Sequence, residues 1–165
     1  MKIILLSVLL SFSILAIAAP KYSLAEETKL PLPRFVSIRS GEVNVRTGPG
    51  IRYPIKWVIV RKNLPVEIVA EFEDWRKIRD ISNDEGWVHR AMLTGRRHAI
   101  IDAEKVEVKD KAKAGSKLVA LANKGSILRI NSCDEDYCEV EANDVDGYVK
   151  NKNLWGIYPD EVFEK

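Results

Sequence analysis

The stretch from Asn44 to Trp57, NVRTGPGIRYPIKW, combines residue types that bind ligands: two glycines, two prolines, two arginines and two aromatic residues. The paired glycines resemble part of a phosphate-binding loop. A loop of that kind needs Gly-Lys-Ser/Thr after its glycines and then a helix, whereas Ile-Arg-Tyr-Pro follows here. The phosphate interpretation is therefore excluded.

Two interpretations of this stretch remain, and they apply to different residues. The turn Gly48-Pro49-Gly50 is predicted to be structural, because glycine adopts backbone angles that other residues disfavour and proline stiffens a turn. The remaining side chains form an aromatic and cationic wall suited to acidic or sugar-bearing ligands, because Arg offers a fixed donor fork and ring faces pack against sugars. The predicted ligand-binding residues are Arg46, Arg52, Tyr53 and Trp57, with Trp75 as a further candidate.

Cysteine and histidine are the other residues with chemical potential. The only cysteines, Cys133 and Cys138, are separated by four residues, which fits a hairpin whose strands are joined by a disulfide. A bridged pair offers no thiol nucleophile. His89 and His98 are distant from the cysteines and lack the spacing of a zinc site. We therefore predict no enzyme activity, no metal and no cofactor.

The elements that would position these residues are short strands. Segments such as GEVNVR and LPVEIVAEF alternate apolar and polar residues, and turn-forming residues follow each of them closely. No helical period of useful length is present. This pattern predicts an all-β fold made of small barrels.

The second half of the chain repeats the first. KVEVK lies over EVNVR with a shift of 63 residues, SILRI lies over LPVEI with a shift of 62, and Gly147 and Leu154 fall on Gly86 and Leu93. We predict two modules of about 60 residues, and features that both copies keep are interpreted as structural.

Some positions differ between the two copies. Trp75 and Trp87 become Tyr137 and Tyr148, and the aromatic character kept at both places favours a half-buried packing role over ligand contact. The loop TGPGIRYPIKW of the first copy aligns with DKAKAGSKLVA in the second, which has neither GPG nor aromatic residues. Any binding groove is therefore predicted in the first copy. The second is expected to be a packing partner whose disulfide replaces lost aromatic burial.

The N-terminus has the pattern of a secretory signal peptide. Lys2 precedes an apolar and small-residue run from Ile3 to Ala19, and Ser23-Leu24-Ala25 fits a cleavage site. We predict cleavage after Ala25, with a site nearer Ala19 as the alternative, and no stable membrane span afterwards.

The charge balance bears on possible partners. The chain has 26 basic and 24 acidic side chains, and removal of the signal peptide leaves 24 of each. A neutral protein is not expected to bind nucleic acid. Residues 34–98 nevertheless carry an excess of positive charge, with 13 basic and 8 acidic side chains. Residues 99–165 carry an excess of negative charge, with 10 basic and 14 acidic side chains. This asymmetry favours docking of the two halves or attraction to an anionic surface, unless it is only uneven solvated charge.

The motifs NVRTGPG, IKW and EGWVHRAMLTGRR, in this order, resemble the bacterial SH3-type (SH3b) domain family, in particular exported SH3-like proteins of Gram-negative bacteria. The resemblance implies five-stranded SH3-like barrels with the opening stretch as a long first loop. It also implies a non-catalytic periplasmic or secreted protein that binds peptidoglycan or another envelope component. The alternative partner is a periplasmic protein, whose proline-rich or extended peptide the protein would hold as an adaptor.

The resulting domain prediction covers the whole chain. It assigns residues 1–25 to the signal peptide, 26–34 to a linker, 35–101 to the first SH3-like domain, 102–158 to a degenerate second domain and 159–165 to a tail. In this prediction the segment Ala99-Ile100-Ile101 is the last strand of the first domain.

Overall fold

A computed structural model describes residues 28, 30–159 and 161–164. The predicted signal peptide and its cleavage site lie outside these residues. The described residues form fourteen β-strands and two single-turn 3₁₀ helices, as predicted for an all-β protein. In chain order the elements are β1 (Arg34–Ile38), β2 (Val43–Arg46), β3 (Ile55–Ile59), β4 (Pro65–Phe72), β5 (Trp75–Arg79), β6 (Glu85–His89), a 3₁₀ turn (Arg90–Met92), β7 (Leu93–Thr94), β8 (His98–Ile101), β9 (Lys105–Lys109), β10 (Leu118–Asn123), β11 (Ile127–Cys133), β12 (Tyr137–Ala142), β13 (Val145–Lys150), a second 3₁₀ turn (Asn151–Asn153) and β14 (Leu154–Trp155).

The strands form two antiparallel sheets of seven strands with the same order. The first sheet runs β3-β2-β6-β5-β4-β1-β7, and the second runs β10-β9-β13-β12-β11-β8-β14. Each strand of the first sheet therefore has a counterpart seven strands later in the second, which confirms the predicted repeat. Each module has two strands more than the five that the resemblance implied.

One predicted boundary is wrong. The segment His98–Ile101 forms β8, which pairs with β11 and β14 and so opens the second module. Its counterpart is β1, which pairs with β4 and β7. All four residues of β8 are buried, so the apolar run alone could not show which sheet takes it. The first module therefore ends at Thr94, and only three residues, 95–97, separate it from the second.

Each module encloses its own apolar core. The inward-facing valines Val43 and Val45 have counterparts in Val106 and Val108, and all four are buried. Gly86 is a shared structural position, because a Cβ there would lie 2.5 Å from Cγ1 of Val45. The same distance separates a Cβ at Gly147 from Cγ1 of Val108. Close strand approach therefore requires glycine at this position in both modules.

The predicted disulfide is present, but it replaces something other than an aromatic residue. Cys133 and Cys138 are bonded and lie opposite each other on β11 and β12. The counterparts in the first module are Glu71 and Arg76, which are also opposite each other. There the Arg76 Nε lies 3.1 Å from the Glu71 Oε1, and both side chains are more than nine-tenths buried. A covalent bond in one module thus occupies the place of a buried ion pair in the other.

Glu71 is the centre of a small polar network in the first module. Its carboxylate accepts hydrogen bonds from Thr28 and Arg34 in addition to the contact with Arg76. Burial alone would raise the pKa of Glu71, but the hydrogen bonds from Thr28 and Arg34 and the two nearby guanidinium groups lower it overall. The carboxylate is therefore held in its charged form.

The two modules contact each other through polar and aromatic pairs. The Tyr158 hydroxyl donates to Oε1 of Glu67 at 2.8 Å. Burial of the hydroxyl and its hydrogen bond to the Glu67 carboxylate both raise the pKa of Tyr158. The other pairs are Ser37 with His98, Phe35 with Trp155, Phe35 with Tyr158 and Arg61 with the carbonyl of Gly125. The modules are therefore packed directly on one another.

Residues of the predicted tail also make contacts. Phe163 forms an isolated β-bridge with Cys133, and Arg97 Nη1 lies 2.7 Å from Oε1 of Glu161. Burial would raise the pKa of Glu161, but hydrogen bonds from Arg97 and from the Tyr158 backbone lower it overall. The polar contact from Arg97 joins the connection between the modules to the end of the chain.

Candidate functional site

The loop between β2 and β3, residues 47–54, is held by its own backbone and by Arg46. The Thr47 amide donates to the Pro54 carbonyl at 3.0 Å, which closes the base of the loop. Arg46 Nη1 donates to the carbonyl oxygens of Ile51 at 3.1 Å and Tyr53 at 2.8 Å. Arg46 therefore positions the loop, and its donors on this side are already engaged.

Gly48 is needed for a different reason from the predicted one, and a side chain at Gly50 would make only ordinary contacts. Left-handed φ angles occur among the described glycines at 115, 125 and 156, and neither Gly48 nor Gly50 has one. Instead, a Cβ on Gly48 would lie 2.5 Å from Cδ1 of Tyr53. The glycine allows the Tyr53 ring to lie against the loop backbone. Arg52, which is exposed, has its guanidinium carbon 5.4 Å from the centre of this ring.

Trp57 lies on the inner face of β3, away from Tyr53 and Trp75, the other predicted aromatic residues. It is opposite the fully buried Val45 and packs against the first core. Its Cη2 would be 3.2 Å from a Cβ on Gly86. The Nζ of Lys56 is 5.0 Å from the centre of the indole. Trp57 is half-buried and closes the open side of the first barrel.

Trp75 lies on the outer face of the sheet, two strands beyond β2. It alternates with the buried Arg76 on β5 and pairs edge-to-face with His89, their ring centres 5.5 Å apart. The structure thus brings Arg46, Arg52 and Tyr53 together, and separates them from Trp57 on the inner face and from Trp75 farther across the sheet.

Trp87 and Lys77 connect these outer residues, although sequence reasoning did not select them. Trp87 lies directly opposite Arg46 on one side and Lys77 on the other. The alternation in GWVH was the signal, because it places Trp87 and His89 on one face and Val88 on the other. We call the surface formed by Arg46, Lys77, Trp75, Trp87 and His89 the outer aromatic face.

Ion pairs border the outer aromatic face. Glu85 contacts Lys77 at 2.5 Å and Arg79 at 2.8 Å, and hydrogen bonds from these two residues lower its pKa. Arg79 also reaches Glu67 at 3.1 Å. These pairs neutralise much of the charge along one border of the face.

A second cationic feature lies where the first module meets the connection to the second. Arg39, Lys62 and Arg96 line a depression of about 310 Å³ together with Asn63 and Thr94. All three cations are exposed, and within the described part of the chain none of them forms an ion pair. The excess positive charge of the first half is therefore partly concentrated here.

The described residues offer no arrangement for catalysis by metal or thiol. They contain no group of three metal-ligating side chains, and both cysteines are in the disulfide. Ser37 Oγ and His98 Nδ1 lie 2.9 Å apart in a hydrogen bond, but both residues are buried between the modules, where substrate has no access. Over the same part of the chain, no helix is long and apolar enough to cross a membrane.

Two repeated small β-barrels, each built on a seven-stranded antiparallel sheet with the same strand order, define a tandem β-module. The chain belongs to the bacterial SH3 domain family, whose model matches residues 39–95 and 103–156. These matched segments correspond to the two observed modules. Domains of this family are typically non-catalytic binding modules and often lie outside the cytoplasm.

Seven chains of solved structures are similar to this chain, among them NlpC1 and NlpC2 from Trichomonas vaginalis. NlpC1 from Trichomonas vaginalis has 11% sequence identity and a TM-score of 0.35, with 79% of this chain and 48% of that chain covered. NlpC2 from Trichomonas vaginalis has 10% identity and a TM-score of 0.35, with 74% and 48% covered. The chain thus spans about half the length of these structures. No curated protein matches it.

Proposed function

We propose that this protein is a non-catalytic periplasmic binding module that recognises peptidoglycan through its first SH3 domain. The observation that carries the proposal is the outer aromatic face, where two half-buried tryptophans lie in adjacent rows beside cationic side chains. Indole faces pack well against the apolar faces of sugars and aliphatic stems. Arg52 and Tyr53 extend this surface at the neighbouring loop.

The second module supports this choice by contrast. The row Arg46, Trp87 and Lys77 of the first module corresponds to Lys109, Tyr148 and Glu139 in the second. An acidic side chain, Glu139, therefore occupies the position of Lys77. Peptidoglycan carries carboxylates, which an acid in this position would repel. The first module is therefore the better candidate for the ligand.

The test is co-sedimentation of the purified protein with isolated sacculi at low and moderate salt. Trp75→Ala and Trp87→Ala remove the two rings, and Tyr148→Ala is the matched control at the equivalent position of the second module. We expect the double tryptophan variant to bind at least about tenfold more weakly, equivalent to about 1.4 kcal/mol. The control is expected to bind like the wild type.

Each variant is first checked for folding by circular dichroism and thermal denaturation. Absence of wild-type co-sedimentation at both salt concentrations would overturn the proposed function. Normal binding by a folded double variant would refute the outer aromatic face as the site.

A second candidate function is a protein–protein adaptor, and one observation favours it. Strand β3 is at the edge of the first sheet, and the side chains of Ile55, Val58 and the adjacent Val60 are 41–75% exposed. An unpaired edge with apolar side chains can accept an extended peptide as an additional strand. Photo-crosslinking from position 58 in cells distinguishes the candidates: one protein partner together with no sacculus binding supports the adaptor.

A further inference from the structure

The inner faces of the two edge strands differ in side-chain size at two equivalent positions. Trp57 lies opposite Val45 on β2, and Ala120 lies opposite Val108 on β9. One pair farther along, Ile59 lies opposite Val43, and Ala122 lies opposite Val106. The second module thus has alanine at both places where the first has a large side chain.

These differences decide whether the open side of each barrel is filled. In the first module Ile59 is buried in the core and Trp57 packs against it. In the second module the corresponding side chains end at Cβ, and a cleft of about 320 Å³ lies between β10 and the core. The cleft is lined mainly by apolar residues, among them Ala120, Ala122, Leu128, Val140, Ala142 and Val145.

The backbone around the cleft keeps it open. Strand β10 is paired with β9 continuously from Ala120 to Asn123, after a register shift between Leu118 and Ala120, so it does not move inward to replace the missing side chains. On the other side, β12 and β13 are joined by the tight turn Asn143-Asp144, in which both residues have positive φ. Asn143 and Ser126 supply polar groups among the lining residues.

We propose that this cleft is a binding site for a single aromatic ring, the external counterpart of the indole that Trp57 supplies internally in the first module. Its volume lies at the lower end of the range typical of small-molecule sites, which are concave and mainly apolar with a few polar groups. Apolar cavities of about 150 Å³ already accept benzene. The ring lies between Ala120 and Val140, on the side of the barrel that Trp57 closes in its twin.

This site is independent of the function proposed for the first module. Strand β10 is an edge strand, and Leu118, Val119 and Leu121 are 44–49% exposed. These side chains add apolar surface to the same strand. The ring can therefore belong either to a free small molecule or to the side chain of a peptide.

The test is titration of the isotope-labelled full chain with indole and with N-acetyl-tryptophanamide, followed by amide chemical shifts. We expect saturable shifts at Ala122, Val140 and Val145 and none around Val45. Tighter binding of indole identifies a free aromatic molecule as the source, whereas tighter binding of the amide identifies a side chain.

Variants that copy the first module test the location. Ala120→Trp fills the cleft from within, and Ala122→Ile is the milder second variant. Each is expected to weaken indole binding at least tenfold. Trp57→Ala is the matched control, and it is expected to add a second binding site in the first module.

The proposal is overturned if indole produces no saturable shift in the cleft residues of the wild type. It is also overturned if folded Ala120→Trp or Ala122→Ile binds indole as the wild type does.

Discussion

The first module has a buried ion pair at the position where the second module has a disulfide, and mutation can convert the one into the other. The double variant Glu71→Cys, Arg76→Cys places two thiols at the positions that Cys133 and Cys138 occupy in the second module. Both pairs are directly opposed on adjacent antiparallel strands. We therefore expect the double variant to form a second disulfide under oxidising conditions.

The magnitude follows from the short loop that the new bond closes. A loop of this length contributes about 2 kcal/mol in the chain-entropy model. Reduction also breaks Cys133–Cys138, so the free energy of unfolding gained on oxidation should be larger in the double variant than in the wild type by that amount. Replacing a buried ion pair with apolar groups is often neutral or stabilising. Arg76 is only 3% exposed. By contrast with the double variant, Glu71→Gln removes its carboxylate partner and leaves a buried unpaired charge, which is expected to lower the free energy of unfolding by about 3–5 kcal/mol.

The assay combines thiol counting with urea denaturation. Three of the four tryptophans are in the first module, so fluorescence mainly reports its unfolding. The single variants Glu71→Cys and Arg76→Cys are the controls, since neither can form the intramodule bond. Two titratable thiols in the oxidised double variant would refute the structural equivalence. So would a gain in unfolding free energy on oxidation that is no larger than the gain in the wild type.

Two further predictions concern packing and pH. Gly86→Ala should destabilise the protein by about 1–3 kcal/mol in urea denaturation, because the added Cβ would overlap Val45. The control is Gly41→Ala, whose Cβ meets nothing within 4 Å and which should have little effect. Equal stabilities of the two variants would contradict this prediction. Burial between the modules lowers the pKa of His98 beside Ser37, so the unfolded chain binds more protons, and stability should fall as the pH drops below about 6.5. Denaturation between pH 7.5 and 5 should show this fall in the wild type and a smaller one in His98→Asn, and an identical slope would exclude the histidine as its cause.

The sequence predicted the strands and the repeat because both depend on local pattern. Alternation gave the inward valines, and the positions shared by both copies included Gly86 and Gly147, whose close contacts are the same in both modules. The cysteine spacing predicted the hairpin disulfide for a similar reason, since neighbouring strands place those residues opposite each other.

Features that depend on tertiary pairing were not accessible in the same way. The buried run of β8 fits either sheet by hydrophobicity, and only its pairing with β11 and β14 assigns it to the second module. The loop comparison placed Trp57 over Ala120, but sequence alone did not show that the difference leaves a cleft. The sequence predicts that Trp87 is half-buried, as it is in the structure. Alternation alone does not say which face of the strand is the outer one, because that depends on where the core lies.

The three-residue connection between β7 and β8 has a consequence for how this protein would use two sites. A flexible linker lets two binding modules search independently, and its length sets their effective concentration for a shared ligand. Here the modules are joined by three residues and packed through side chains of both, so the spacing between sites is fixed by the fold. Such a protein gains avidity only from ligands whose groups match that spacing. It would therefore select targets by the distance between their binding groups, whereas modules joined by a flexible linker would bind targets of many spacings.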